Sequence, residues 1–160
     1  MRDLNFLAFH GLGRGKRHNF TGRHPLGHHV VRRAPRVLLS TLPNERHGLG
    51  LEMAELYLAI SHVTPLLLGV DTPPEQIAKA ASEHAVDAVG LLVTGASDLK
   101  STAKHVRWLL AQLPRRVSIW IGGGTGRELD IHNDGLQVID TWSDLDSAIA
   151  ILGRETNHKA

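Results

Sequence analysis

A doubly wound α/β domain built on a mostly parallel, five-stranded sheet is the fold class this chain predicts. From residue 36 onward, short β-rich apolar runs alternate with amphipathic helical stretches, and the links between them are short. Such links call for right-handed β-α crossovers, which lay the strands parallel and cover both faces of the sheet with helices. The length of 160 residues is a third observation: it suits one hydrophobic core and is too little for two independent domains.

Each element has its own reason. RVLLST (36–41) is a short β-branched and aliphatic run that reads as the first strand. LGLEMAELYLAI then places Leu49, Met53, Leu56, Tyr57 and Ile60 at helical spacing. TPLLLG reads as a second buried strand. PPEQIAKAASEH opens on prolines, whose fixed φ suits a first helical turn, and sets Ile77, Ala78 and Ala81 on one side. DAVGLLV is the third strand. SDLKSTAKHVRWLLAQL predicts a helix with Ser97 as its cap and an apolar stripe of Leu99, Ala103, Val106, Leu109 and Leu110. RVSIWI is a fourth strand that runs into GGGTG, and LQVID is a fifth. SDLDSAIAIL closes the domain as a helix capped by Ser143, with Asp146 in the reciprocal position. The folded domain is therefore expected over residues 36–152, followed by a short C-terminal tail, 153–160.

Residues 1–35 differ in kind. Residues 1–36 hold eight Lys or Arg against the single acid Asp3, whereas residues 37–160 hold ten against fifteen acids, so the overall charge of +2 conceals a basic head on an acidic body. Phe6, Phe9 and Phe20 are the chain's three phenylalanines, and they sit in that head with His10, His18, His24, His28 and His29. GLGRGKRHNFTGRHPLGHH has no apolar periodicity and reads as a basic, His- and Gly-rich arm. A solubilising extension is its simpler reading. Non-specific nucleic-acid contact through Arg14, Lys16, Arg17 and Arg23 is the other, with no recognition helix to read a DNA sequence.

The absence of cysteine excludes disulfides, thiolate metal sites and cysteine nucleophiles. No segment approaches the roughly 18 apolar residues that a membrane helix needs, and the N-terminus lacks a secretory signal pattern. No membrane association and a cytoplasmic location are the expectation.

In an open parallel sheet, ligands bind beyond the carboxyl ends of the strands, where strand order reverses. NERHGLG (44–50), VTGAS (93–97) and GGGTG (122–126) each follow a strand, so all three are expected to converge there. An imidazole on such a loop coordinates a transition metal through one ring nitrogen while the other donates to a carboxylate. His47 with Glu45 is the candidate for this pairing, the simpler alternative being a helix-start residue with a satisfied side chain. GGGTGRE lacks the GKS or GKT ending of a phosphate-binding loop, and no Gly-x-Gly-x-x-Gly follows RVLLST. Asp71 is expected to order the loop before the second helix. His62, His84, His105 and His132 show no metal-ligand spacing, and Trp108, Trp120 and Trp142 read as packing residues.

NERHGLG, GVDTPPEQIAKAASEHAVDAVGLLV and SIWIGGGTG together resemble the cobalamin (vitamin B12)-binding domain shared by methionine synthase, B12-dependent mutases and light-responsive B12 regulators, over about residues 36–152. The Glu-x-His-x-x-Gly form is most similar to the regulator branch. The resemblance implies a flavodoxin-like (Rossmann-like) domain holding adenosylcobalamin, methylcobalamin or hydroxocobalamin. It makes His47 the ligand that holds cobalt from the lower face, Glu45 its orienting acid, and Gly50 the residue that lets the displaced nucleotide tail pass the first helix. It makes Gly122 and Gly123 the small residues beside the tail's ring. Where the family often has a serine at the end of the third strand, this chain has Leu92, and Thr94 and Ser97 are the nearby residues able to replace its polarity.

The chain has no room for a substrate-binding barrel, so no complete catalytic centre is expected. A cobalamin-binding regulatory or sensory module working with a protein partner is the leading reading, with a role in transcription regulation. A detached cobalamin-carrying subunit of a mutase or methyltransferase, and a nucleic-acid-binding or scaffold protein that has lost its cofactor, are the alternatives.

Overall fold

The computed structural model describes residues 33–158. The arm's basic and histidine residues up to 32, with His10, His18, His24, His28 and His29 among them, lie outside the described residues. In chain order the elements are β1 (Arg36–Thr41), α1 (Leu49–Ile60), β2 (Thr64–Gly69), α2 (Pro74–Glu83), β3 (Ala88–Leu92), α3 (Leu99–Gln112), β4 (Ser118–Gly122), a 3-10 turn (Gly126–Glu128), β5 (Leu136–Ile139) and α4 (Trp142–His158). The α4 helix thus continues past Leu152.

The five strands pair in parallel in the order β2-β1-β3-β4-β5. The chain leaves β1 toward one edge, then crosses back over β1 to lay down β3, β4 and β5. Strand order therefore reverses between β1 and β3, and their carboxyl ends open a crevice there. The register places Thr41 beside Leu92 and Leu92 beside Gly122, so these three residues end their strands abreast.

The same reversal divides the helices. The α2 and α3 helices cover one face through Ile77, Ala80, Ala81, Ala103, Val106 and Leu109, against Leu38, Val89, Leu91, Ile119 and Ile121 of the sheet. The α1 and α4 helices cover the other, with Leu51, Leu58, Leu145, Ala148 and Leu152 against Val37, Leu39, Ala88 and Trp120. Arg33, just before β1, ties the entering chain to the base of β3 through a two-pronged ion pair with Asp87 at 2.9 and 2.8 Å.

Three local expectations are corrected. The α1 helix buries Leu51 and Leu58, while Leu49, Met53, Leu56 and Ile60 are exposed at 70, 50, 67 and 69 %. The spacing that identifies the helix is real, but these four residues face outward. The cap of α3 is Asp98, whose carboxylate accepts from the Lys100 and Ser101 amides, because the Ser97 hydroxyl is engaged elsewhere. The reciprocal cap of α4 is Thr141 with Asp144: the Thr141 amide and hydroxyl donate to the Asp144 carboxylate, and the Asp144 amide donates back to the Thr141 hydroxyl. That box lies two residues earlier than the one expected from Ser143 and Asp146.

Candidate functional site

The β1–α1 loop carries Asn44 through Gly48 across the crevice. One residue in it, Asn44, adopts left-handed backbone with φ of 69°, and so does Asp71 of the neighbouring β2–α2 loop, with φ of 53°. Asp71 accepts from the Asn44 amide at 2.8 Å, and its own amide donates to the Thr41 hydroxyl at 2.8 Å. Thr41 in turn donates to the Glu45 carbonyl. Two loops and the end of β1 are thereby locked together, and Glu45 is swung inward until only 2 % of it is exposed.

A buried carboxylate needs donors on both oxygens. Glu45 has them. Its Oε1 accepts from the His47 amide at 3.0 Å and lies 2.6 Å from His47 Nδ1. Its Oε2 accepts from the Ser97 hydroxyl at 2.6 Å, from the Thr94 amide at 3.3 Å and from the Thr94 hydroxyl. Burial by itself pushes the Glu45 carboxyl upward, but the hydrogen bonds from Ser97, Thr94 and His47 outweigh it and hold the group down at about 2. Glu45 is therefore an anion throughout the neutral range.

An anionic carboxylate only accepts hydrogen bonds, so the 2.6 Å contact requires the proton on His47 Nδ1. In the neutral ring Nε2 then carries the lone pair and points away from Glu45, on a side chain that is 68 % exposed. This is the carboxylate–imidazole arrangement that orients a metal-ligating histidine. Among the described residues no cluster of three or more His, Cys, Asp or Glu is placed to hold a metal by itself. His47 offers one imidazole lone pair at the crevice.

Beside the crevice, between α1, α4 and the sheet, lies a cavity of about 290 Å³. Gly50, Leu92, Trp120, Gly122 and Gly123 all line it. A Cβ on Gly123, where φ is +105°, would stand 2.3 Å from the Val93 carbonyl oxygen, so only glycine lets this turn close on β3. A Cβ on Gly50 would stand 2.9 Å from the Leu92 side chain. Gly122 is looser, its nearest neighbour being the Ile139 carbonyl at 3.6 Å.

The seven sequence-predicted positions thus form two adjoining groups. Glu45, His47, Thr94 and Ser97 make one hydrogen-bonded cluster, and Gly50, Gly122 and Gly123 border the cavity next to it. Sequence reasoning missed Thr41 and gave Asp71 only the ordering of the loop before α2, whereas the two together fold the β1–α1 loop inward. A hydroxyl at the end of an otherwise aliphatic strand was the available signal. It also took Trp120 for a packing residue alone, whereas Trp120 lines the cavity and its indole N–H is buried without a hydrogen-bond partner.

No protein-family model matches the chain. The sequence is 31 % identical over 103 residues to the HTH-type transcriptional repressor CarH of Myxococcus xanthus, a stretch that covers 64 % of this chain and 33 % of that protein. The chain thus spans about one third of the length of this curated relative. Among solved structures, a cobalamin-binding protein from Desulfitobacterium hafniense DCB-2 superposes with a TM-score of 0.58 at 20 % identity, over 76 % of this chain and 59 % of that one. The methanol:cobalamin methyltransferase complex MtaBC from Methanosarcina barkeri gives 0.57 at 17 % identity, over 72 and 46 %. The monomethylamine corrinoid protein of the same organism gives 0.58 at 16 % identity, over 73 and 57 %. In fold, with its flavodoxin-like 2-1-3-4-5 sheet, the described chain is similar to the domains of these cobalamin-binding and corrinoid proteins.

Proposed function

We propose that this chain is a cobalamin-binding module in which His47 would ligate the cobalt, and that it serves a regulatory or sensory role. The observation that carries the reading is the buried, anionic Glu45 holding His47 Nδ1 at 2.6 Å, which directs the other ring nitrogen outward at the strand-order reversal. Thr94 and Ser97 hold Glu45 in place, and the cavity behind Gly50, Gly122 and Gly123 is suited to the cofactor's nucleotide tail. Once bound, the cobalamin supplies the alkyl-cobalt chemistry, including light sensitivity. The chain's own part is to ligate, orient and exclude water.

The likeness to a transcriptional repressor supports the regulatory role, and the exposed stripe of Leu49, Met53, Leu56 and Ile60 on the helix that follows His47 supports a protein partner. A second reading, a carrier subunit for a separately encoded mutase or methyltransferase, is favoured by the likeness to the methanol:cobalamin methyltransferase complex and to the monomethylamine corrinoid protein. Co-purification of a large catalytic chain would select it. We place the protein in the cytoplasm. No helix among the described residues is long and apolar enough to cross a membrane.

Absorbance titration with hydroxocobalamin and adenosylcobalamin in the dark tests the site. Saturable binding with a histidine-ligated spectrum that is lost in His47→Ala is the expected result. A folded wild type that binds neither would end the cobalamin reading and direct attention to the basic arm.

A further inference from the structure

We infer that the cavity selects cobamides by the polarity of their lower base, and that Leu92 is a residue that sets this preference. The inference rests on the reading of the cavity as the place of the nucleotide tail.

The Leu92 side chain stands between the two glycines that frame the cavity: an added Cβ would meet it at 2.9 Å from Gly50 and at 3.0 Å from Gly123. It thus lies on the path of anything entering from the crevice. The wall beyond is aliphatic and aromatic, with Leu39, Leu51, Ala54, Leu58 and Leu145 beside Trp120. The two polar residues of the lining other than tryptophan are already committed, Asp140 to Arg127 and Thr141 to Asp144. An aliphatic cavity of about 150 Å³ takes up benzene, so 290 Å³ has room for a fused two-ring base.

The polar edge of a base therefore decides its fit. A dimethylated benzimidazole presents methyl groups and carbon edges to such a wall. Adenine presents an amino group and two further ring nitrogens; the free Trp120 indole N–H can meet one of the nitrogens, and the other two groups leave water and find committed partners. Each polar group left unpaired weakens binding by about 5- to 100-fold. The benzimidazole is also the more basic ring and holds cobalt more firmly in the free cofactor, which works against the expected preference and makes its observation the stronger evidence.

The test compares three corrinoids in the same aquo form on the wild-type chain, read by absorbance and by tryptophan fluorescence: the dimethylbenzimidazole cobamide, the adenine cobamide, and cobinamide, which has no nucleotide tail. The expected order is benzimidazole tightest, the adenine form weaker by at least about 10-fold, and cobinamide weaker than the benzimidazole form. Leu92→Ser, or Leu92→Asn if the serine variant does not fold, should narrow the gap between the two bases. Equal binding of the two cobamides overturns the inference, and so does cobinamide binding as tightly as the benzimidazole form. Either result leaves His47 ligation standing if the histidine-ligated spectrum persists. An unchanged gap in a folded Leu92 variant removes Leu92 from the selectivity. Failure of all three to bind ends the cobalamin reading, and this inference with it.

Discussion

The two faces of the sheet are built from similar residues and do opposite things. Under α2 and α3, Ile77, Val89, Val106, Leu109, Ile119 and Ile121 are each fully buried, and the connection from β4 to β5 seals the end with Gly126 and Leu129. Under α1 and α4 the covering is incomplete. A cavity of about 290 Å³ remains, one indole N–H goes without a partner, and the outer side of α1 exposes four large apolar residues. One face spends its apolar residues on stability. The other leaves room, and that room adjoins the Glu45–His47 pair.

Breaking the closed face has the largest expected effect. Ile77→Ala removes a fully buried side chain from it and should destabilise the fold by about 2–5 kcal/mol, measured by denaturant titration, without altering the site's polar cluster. On the open face Gly123→Ala is the sharper probe. It puts a Cβ 2.3 Å from the Val93 carbonyl at a φ of +105°, so it should cost about 1–3 kcal/mol and also disturb the cavity's rim. A weakened corrin titration beyond what the stability loss explains would tie the glycine to the cavity.

Glu45→Gln should act on binding more than on folding. It removes the anion that fixes the Nδ1 proton of His47, and a loss of about 10- to 100-fold in corrinoid affinity is expected, read by the same titration. Its acid behaviour gives a second measurement. The Glu45 carboxyl lies at about 2 in the folded chain against an ordinary 4.5, so the unfolded chain binds the proton more readily. The stability this group contributes is complete above about 4.5 and is lost as pH falls toward 2. Thermal unfolding of Glu45→Gln should be flatter than wild type across that window. The smallest effect is expected at the exposed stripe: Leu56→Gln should change the stability of the isolated chain by no more than about 0.5 kcal/mol. A larger loss would mean that the stripe is covered in solution.

Much of this was legible in the chain. The first two strands begin and end where the residue pattern places them, and all five appear in the expected order. Alternating apolar runs and short links dictate parallel crossovers, whatever the distant partners. Glu45 and His47 are two residues apart, so their pairing was local enough to propose. Helix faces were less legible. In α1 the apolar residues occur on both sides, and spacing alone gives no reason to bury Leu51 and Leu58 instead of Leu49 and Leu56. Caps were displaced for a similar reason, since Ser97 had a competing partner 52 residues away.

The sequence by itself determined the alternation of elements, the glycines at the strand ends and the presence of an acid beside a histidine, because each depends on near neighbours. Tertiary structure decided that Glu45 lies buried under Thr94 and Ser97, that Leu92 stands between Gly50 and Gly123, and that one face of the sheet closes while the other does not. Those outcomes depend on which strands lie side by side: parallel pairing puts the three loops at one edge, and the insertion of β3 between β1 and β4 makes them neighbours there.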